Sequence, residues 1–240
     1  MNWFERWFDS PYYHLLYKNR DEKEAKLFIN KLIKHLNIAK GSKIIDIACG
    51  KGRHAAYLNK KGMHVVGIDL SKKSIRAAKA NENKTLQFLV HDMRNTFNED
   101  TFDIATNLFT SIGYFKKVSD EQKAINAMAA NIKNGGLLII DFMNVKKVIH
   151  NLIKYEEKIV DEIPFKIKRR IEEGYIIKEI SCSDKGKNHK FKEQVRILTL
   201  IDFANFIKKA GLKIIDTFGC YKLKNFNALE SDRLILICKK

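Results

Sequence analysis

The residues of this chain able to do chemistry by type and spacing fall along its first half: Asp46, the turn Gly50-Lys51-Gly52, Asp69, Asp92 with Met93, and Asn107. A Gly-x-Gly turn lets the backbone bend sharply and approach a ligand with no Cβ in the way. A helix that follows such a turn aims its free N–H groups at the same spot. The combination suits a nucleotide-like cofactor, and a carboxylate at the tip of the next strand, the place of Asp69, suits its ribose hydroxyls. His14, His91, His150 and His189 are bases by type, but none stands in a diagnostic spacing, so no catalytic base is assigned.

These groups need elements to position them. The apolar run at 44–47 reads as a strand, 53–60 as a helix and 63–69 as a second strand ending on Asp69. Ser71 caps a helix running to about Asn81, and 86–91 is a third strand that ends at Asp92. A fourth strand, 102–108, opens into a loop at 109–115. Ser119-Asp120-Glu121-Gln122 is a capping box for a helix to Lys133, closed by Asn134-Gly135-Gly136. A fifth strand at 137–143 leaves Asn144 at its tip. Strands and helices alternate throughout, which predicts a parallel α/β sheet.

Taken in order, Asp46-Ile47-Ala48-Cys49-Gly50-Lys51-Gly52, Gly67-Ile68-Asp69-Leu70-Ser71, His91-Asp92-Met93 and Asn107-Leu108-Phe109-Thr110 resemble the four motifs of the class I S-adenosylmethionine-dependent methyltransferases. The resemblance runs over 41–144. It implies a Rossmann-like, seven-stranded, mostly parallel sheet whose final strand is antiparallel, with S-adenosyl-L-methionine as cofactor and S-adenosyl-L-homocysteine as product. It also implies cofactor-binding positions: Asp46, which orders the loop Ala48, Cys49, Gly50 and Gly52 at the methionine end; Asp69 and Leu70; Asp92, accepting from the adenine amino group; Met93, packing on the ring; and Asn107. Gly50-Lys51-Gly52-Arg53-His54-Ala55 satisfies the dinucleotide-binding fingerprint as well. Asp46 argues against that reading, because such a strand runs apolar into its glycines. The roughly one hundred residues beyond the core must also complete the sheet, leaving little for a hydride-acceptor domain.

At 240 residues with 45% hydrophobic content, the chain predicts one α/β domain with a full core. There is no apolar signal region and no stretch approaching the ~20 apolar residues of a membrane helix, so a cytoplasmic protein without a membrane partner is expected. Cys49, Cys182, Cys220 and Cys238 show neither C-x-x-C pairing nor zinc spacing, so no metal is expected. The net charge of +17 invites a nucleic-acid partner. The lysines, however, are interleaved with acids along almost every element, and the basic runs at 166–170 and 185–192 read first as solvated faces. No feature of the sequence specifies an oligomeric state.

Two segments lie outside the core pattern. Residues 1–40 open with Trp3, Phe4, Trp7, Phe8, Tyr12, Tyr13 and Tyr17, followed by a helix over 21–36 with one apolar face. The aromatic part either covers an edge of the core or, as the resemblance implies, folds over the cofactor as a lid. Residues 154–197 alternate at period two between turn residues and predict an antiparallel β insertion after the fifth strand. A helix over 199–210 and strands at 213–218 and 233–238 complete the chain. The two segments are expected to wall a pocket over the carboxyl ends of the first, fourth and fifth strands, with the basic hairpin at 185–192 facing solvent. Tyr13, Tyr17, Tyr114 and Asn144 would line that pocket, and Arg20 would meet the cofactor carboxylate.

The only prolines are Pro11 and Pro164, so the loop at 109–115 carries neither the Asn-Pro-Pro-Tyr pattern of amine methyltransferases nor the Pro-Cys of cytosine C5 enzymes. The expected acceptor is therefore the N or O of a small molecule. The alternative is RNA or protein methylation using the basic surface.

Overall fold

The apolar runs of the first half become β-strands because their β-branched residues sit on a sheet covered on both faces. In a computed structural model, which describes residues 3–17 and 22–240, the order is α1 (Trp3–Phe8), α2 (Pro11–Leu16), α3 (Glu22–Leu36), β1 (Lys43–Ile47), α4 (Arg53–Lys60), β2 (His64–Asp69), α5 (Lys72–Ala78), β3 (Leu86–Val90), β4 (Phe102–Asn107), α6 (Val118–Asn131) and β5 (Ile132–Met143). There follow α7 (Val145–His150), β6 (Tyr155–Val160), β7 (Ile163–Glu172), β8 (Tyr175–Asp184), β9 (Lys187–Arg196), α8 (Leu200–Lys209), β10 (Lys213–Phe218) and β11 (Arg233–Lys239).

Seven strands form one sheet in the order β10-β11-β5-β4-β1-β2-β3. β1 to β5 pair in parallel, and β11 lies antiparallel to both β5 and β10. This is the Rossmann-like arrangement expected. The strand order reverses between β4 and β1, which opens a crevice at their carboxyl ends. Helices cover both faces. Phe28, Ile29 and Leu32 of α3 join one apolar cluster with Phe88 and Met63, while Met128 of α6 and Phe203 of α8 join the other with Phe142.

The predicted insertion is a separate four-stranded antiparallel sheet, β6-β7-β8-β9. Its hairpin turns are the pairs Asp161-Glu162, Glu173-Gly174 and Lys185-Gly186, all at positive φ, as tight two-residue hairpins require. The aromatic segment packs its apolar side on this sheet. Trp7 and Leu16 lie buried against Phe165, Ile167, Ile180 and Cys182. In the hairpin at 185–192, Lys185, Lys187, Lys190 and Lys192 are exposed, while the His189 ring packs at a tilt on Tyr12 and that of Phe191 on Trp7.

Two local expectations change. The helix α6 starts at Val118 with Lys117 as a cap that makes no side-chain bond, so the capping box at Ser119 does not form. Its acidic and amide members turn inward instead: Glu121 accepts the Gly113 N–H, and Gln122 donates to the Phe206 carbonyl at the end of α8. The helix also stops at Asn131. There the chain enters β5, pairs Ile132 with Phe102, loops out at 133–136 and resumes at Leu137 opposite Ile104. No helix among the described residues is long and apolar enough to cross a membrane.

One packing constraint places the turn that follows β1. A Cβ on Gly52 would stand 2.5 Å from the Phe88 ring, and one on Gly67 would stand 2.6 Å from that ring and 2.9 Å from the Cys49 sulfur. Gly52 therefore serves helix-to-strand packing. Gly67→Ala is expected to destabilise the protein by about 1–3 kcal/mol in urea unfolding, and Phe88→Leu should relieve part of that loss in the double variant. Equal stability of Gly67→Ala and wild type would remove the constraint.

Candidate functional site

The turn after β1 is built from alternate left-handed residues, Ala48 at φ 59°, Gly50 at 56° and Gly52 at 79°. Cys49 N–H bonds the Ile68 carbonyl at 3.0 Å, which ties the turn to the end of β2. Gly50 has no atom within 4 Å of where a Cβ would sit, so the backbone is open to a ligand there. Asp69 closes the arrangement, accepting the N–H of Gly50 and of Ser71, each at 2.8 Å. Burial raises its carboxyl above the usual range and the two N–H groups oppose that rise. Leu70 beside it is 38% exposed, an apolar side chain left partly open at the surface.

Under the turn lie two buried acceptors. Asp46 is 1% exposed, and its Oδ1 accepts from the Thr106 hydroxyl at 2.8 Å while Oδ2 has no hydrogen-bond partner. Asn107 donates through Nδ2 to the Ile47 carbonyl at 3.1 Å and leaves its Oδ1 equally bare. Desolvation lifts the Asp46 carboxyl to about 7. Bare buried oxygens are costly unless something donates to them. A ligand ammonium is such a donor, so these residues fit the methionine end of the cofactor that the resemblance implies. Burial, with Asp46 and Asp69 nearby, pushes the Cys49 thiol up and leaves it a poor nucleophile.

Asp92 is held by a residue that the sequence reading passed over. Arg94 donates Nη2 to Asp92 Oδ2 at 2.5 Å and Nε to both oxygens at 3.0 and 3.1 Å, and its guanidinium covers the Phe115 ring at 5.3 Å. This pairing holds the Asp92 carboxyl below its ordinary range, so it stays an ionised acceptor. Met93 packs, half-buried, against the main core cluster.

The loop after β4 is fixed by a charged network with no motif to announce it. Buried Asp141 accepts from Arg233 Nε at 2.7 Å, Tyr221 Oη at 3.0 Å and Phe109 N–H at 2.9 Å. Burial first, then the Asp141 charge, pushes the Tyr221 hydroxyl up. For Arg233, burial alone would lower the guanidinium's pKa, but the charges of Asp141, Tyr221 and Glu24 and the hydrogen bond to Asp141 together raise it. Arg53, at the start of α4, places its guanidinium 4.6 Å from the Phe109 ring. Tyr114 donates its hydroxyl to the Thr110 carbonyl. Asn144 is 3% exposed, and its amide donates to the carbonyls of Ala228 and Ser231 at 2.9 and 2.8 Å, where it clamps the segment before β11.

The N-terminal segment reaches this same edge. Ser71 Oγ bonds Asp9 Oδ1 at 2.5 Å, and Lys73 donates to the Asp9 carbonyl at 2.7 Å. The Tyr114 ring meets Trp3 at 5.4 Å and Phe8 at 5.5 Å. Tyr13 meets Trp7, Phe8 and Tyr17 edge to face. Tyr17 donates to Glu193 at 2.8 Å and accepts from Lys178, both on the insertion sheet. Arg20 lies outside the described residues. Burial, then Lys51 and Lys73, lowers the His14 pKa, so the ring is neutral beside the glycine turn. His189 bonds Tyr12 and His91 the Asn95 carbonyl. No His, Cys, Asp and Glu cluster suited to a metal occurs among the described residues.

Residues 44–136 match the family model of the methyltransferase domain. A putative methyltransferase from Geobacillus sp. (strain WCH70) is 28% identical over 126 residues, covering 51% of each chain. The chain thus spans about half the length of that curated relative. Among solved structures, an S-adenosylmethionine-dependent methyltransferase from Clostridium acetobutylicum superposes with a TM-score of 0.79 at 22% identity, covering 95% of each chain. S-adenosylmethionine-bound CalS10, an amino pentose methyltransferase from Micromonospora echinaspora, gives 0.72 at 19% identity, over 95% of this chain and 96% of that one. At these identities the likeness is one of fold.

A carboxyl raised to about 7 keeps a proton that the unfolded chain releases near pH 4. The stability it contributes is complete below about pH 4 and is lost as pH rises through about 7. Without ligand, urea unfolding should therefore show stability falling from pH 5 to pH 8. Asp46→Asn should flatten that fall by about 2–4 kcal/mol. An unchanged slope in the variant would show that Asp46 does not carry it.

Proposed function

Because this chain belongs to the class I S-adenosylmethionine-dependent methyltransferase family, we propose that it transfers the cofactor's methyl group to the N or O of a small molecule. One observation supports a small acceptor above the others. The aromatic segment and the insertion sheet meet at the carboxyl edge of the main sheet, anchored on Ser71 after β2 and on Tyr114 after β4. An edge roofed in this way excludes water and large polymers alike. CalS10, which shares the fold, is described as an amino pentose methyltransferase.

When bound, S-adenosyl-L-methionine supplies a methyl on a sulfonium and leaves as S-adenosyl-L-homocysteine. The chain's part is to bind, orient and desolvate. Asp69, already fixed by two N–H groups, has lone pairs left for two ribose hydroxyls. Asp46 and Asn107 offer buried oxygens to the ammonium. Asp92 accepts from the adenine amino group, with Leu70 and Met93 as apolar surface for the ring. Tyr13, Tyr17 and Tyr114 form the acceptor side.

A second reading has its own observation. The outer face of the insertion sheet carries exposed Lys166, Lys168, Lys190 and Lys192, with Lys166 and Lys190 both opposite Ser181, and Lys168 and Lys192 both opposite Glu179. That face suits a nucleic-acid or acidic protein substrate, although it points away from the aromatic segment. Retention on RNA that weakens steeply with salt would favour it.

Asp69→Ala should cost about 1.5–3 kcal/mol of S-adenosyl-L-homocysteine affinity, because charge-assisted bonds to the ribose are lost. Titration calorimetry on the folded variant reads this directly. Unchanged affinity would overturn the assignment of Asp69, and tight NAD binding by the wild type would overturn the cofactor.

A further inference from the structure

The loop from Phe109 to Lys116 is gripped at both ends by a buried acid and a partly buried arginine, a pattern that the binding of cofactor does not require. At its start, Phe109 and Thr110 both take left-handed backbone, at φ 69° and 60°. Bulky and β-branched residues hold that conformation only when their surroundings impose it. Asp141 imposes it here. Its Oδ2 accepts the Phe109 N–H and its carbonyl accepts the Thr110 N–H at 2.8 Å, while Arg233 Nη2 donates to Thr110 Oγ1 at 3.0 Å. The Phe109 ring packs against the guanidinium groups of Arg53 and Arg233.

At the other end, Glu121 is fully buried and accepts the Gly113 N–H at 3.1 Å. Arg196, on the last residue of β9, donates its backbone N–H to the Gly113 carbonyl at 2.8 Å and Nη2 to the carbonyls of Phe115 and Lys116 at 3.0 and 2.9 Å. Tyr175 at the start of β8 donates to the same two carbonyls. Glu121 Oε1 and Arg196 Nε stand 3.8 Å apart, both buried and neither hydrogen-bonded. Replacing buried ion pairs by packed apolar residues is often neutral or stabilising, so stability alone does not account for them. Between the two grips sits Tyr114, whose ring meets the aromatic segment and whose hydroxyl is held by Thr110.

We propose that this loop positions the methyl acceptor, and that Asp141 with Arg233 and Glu121 with Arg196 are positioning residues that hold Tyr114 against the N-terminal aromatic segment. Arg196 then couples the insertion sheet to the loop, so the element that shapes acceptor choice and the element that presents the acceptor move as one. The acceptor role rests on the methyl-transfer reading, whereas the grip on the loop does not.

The chain has two tryptophans, and Trp3 lies beside Tyr114. In a Trp7→Phe background, Trp3 fluorescence therefore reports where the loop sits. Asp141→Asn should raise acrylamide quenching of Trp3 about twofold, while S-adenosyl-L-homocysteine affinity stays within about threefold. Adding Thr110→Gly, which tolerates left-handed backbone, should restore quenching toward the parent value. Arg196→Lys keeps the charge but loses the forked donor and should give the same loosening, and it serves as the readout if Asp141→Asn does not fold. Unchanged Trp3 quenching in a folded variant would overturn the grip. A parallel tenfold or greater loss of S-adenosyl-L-homocysteine affinity would place these residues in the cofactor site instead. Failure of the wild type to bind S-adenosyl-L-homocysteine would overturn the methyl-transfer reading and the acceptor role, leaving Trp3 quenching to decide the grip alone.

Discussion

A carboxylate at the end of one strand captures the loop that leaves the neighbouring strand, and the working edge of this protein is built on that interaction. Asp69, at the end of β2, accepts the Gly50 N–H from the turn after β1. Asp141, near the end of β5, accepts the Phe109 N–H from the loop after β4. In each case a loop that would otherwise leave backbone donors unpaired is fixed by a charged acceptor from next door, and charge-assisted bonds of this kind are about twice as strong as neutral ones. The parallel sheet makes the arrangement available, since all five parallel strands end on the same edge.

Burying so much charge and polarity has a cost, and the structure meets it unevenly. Asp141 is matched by Arg233, Tyr221 and Phe109 N–H. Asp46 and Asn107 are matched on one side only and keep a bare oxygen each. The contrast is one of satisfaction: the paired acid holds a loop, whereas the two half-paired side chains each leave an acceptor oxygen without a hydrogen-bond partner. Phe88 works to the same end from below, since its ring packs against the bare backbone of Gly52 and Gly67 and so fixes the depth of the glycine turn.

The roof over this edge is a composite. Neither the aromatic segment nor the insertion sheet has a core of its own large enough to stand alone, and each buries its apolar side against the other through Trp7, Leu16, Phe165 and Ile180. The joint unit touches the main domain at Ser71 through Asp9, at Tyr114 through the aromatic rings, and at the Gly113 to Lys116 backbone through Arg196 and Tyr175. The polar contacts at Tyr17, Lys178 and Glu193 lie inside it, on the sheet face turned toward the helices.

What the sequence determined by itself was whatever depends on neighbours along the chain. Strand, turn and helix around Gly50 and Gly52, the Ser71 cap and the β-rich character of 154–197 follow from periodicity and from short-range chemistry, and the sheet's parallel order follows from the alternation of elements. The hairpin between β6 and β7 did not announce itself, because Asp161 and Glu162 take a turn conformation usually given to Gly or Asn. Tertiary structure alone decided the rest. Asp141 and Arg233 are 92 positions apart, and no local rule relates them. Ser119 to Gln122 reads as a capping box only until Gly113 and Phe206 compete for the same side chains. The aromatic segment could have covered either apolar surface, and only the presence of the insertion sheet, with Glu193 ready to accept from Trp7 and Tyr17, selected one. Contacts between residues distant in sequence are set by which surfaces meet after the sheet forms, and that information is not carried by spacing.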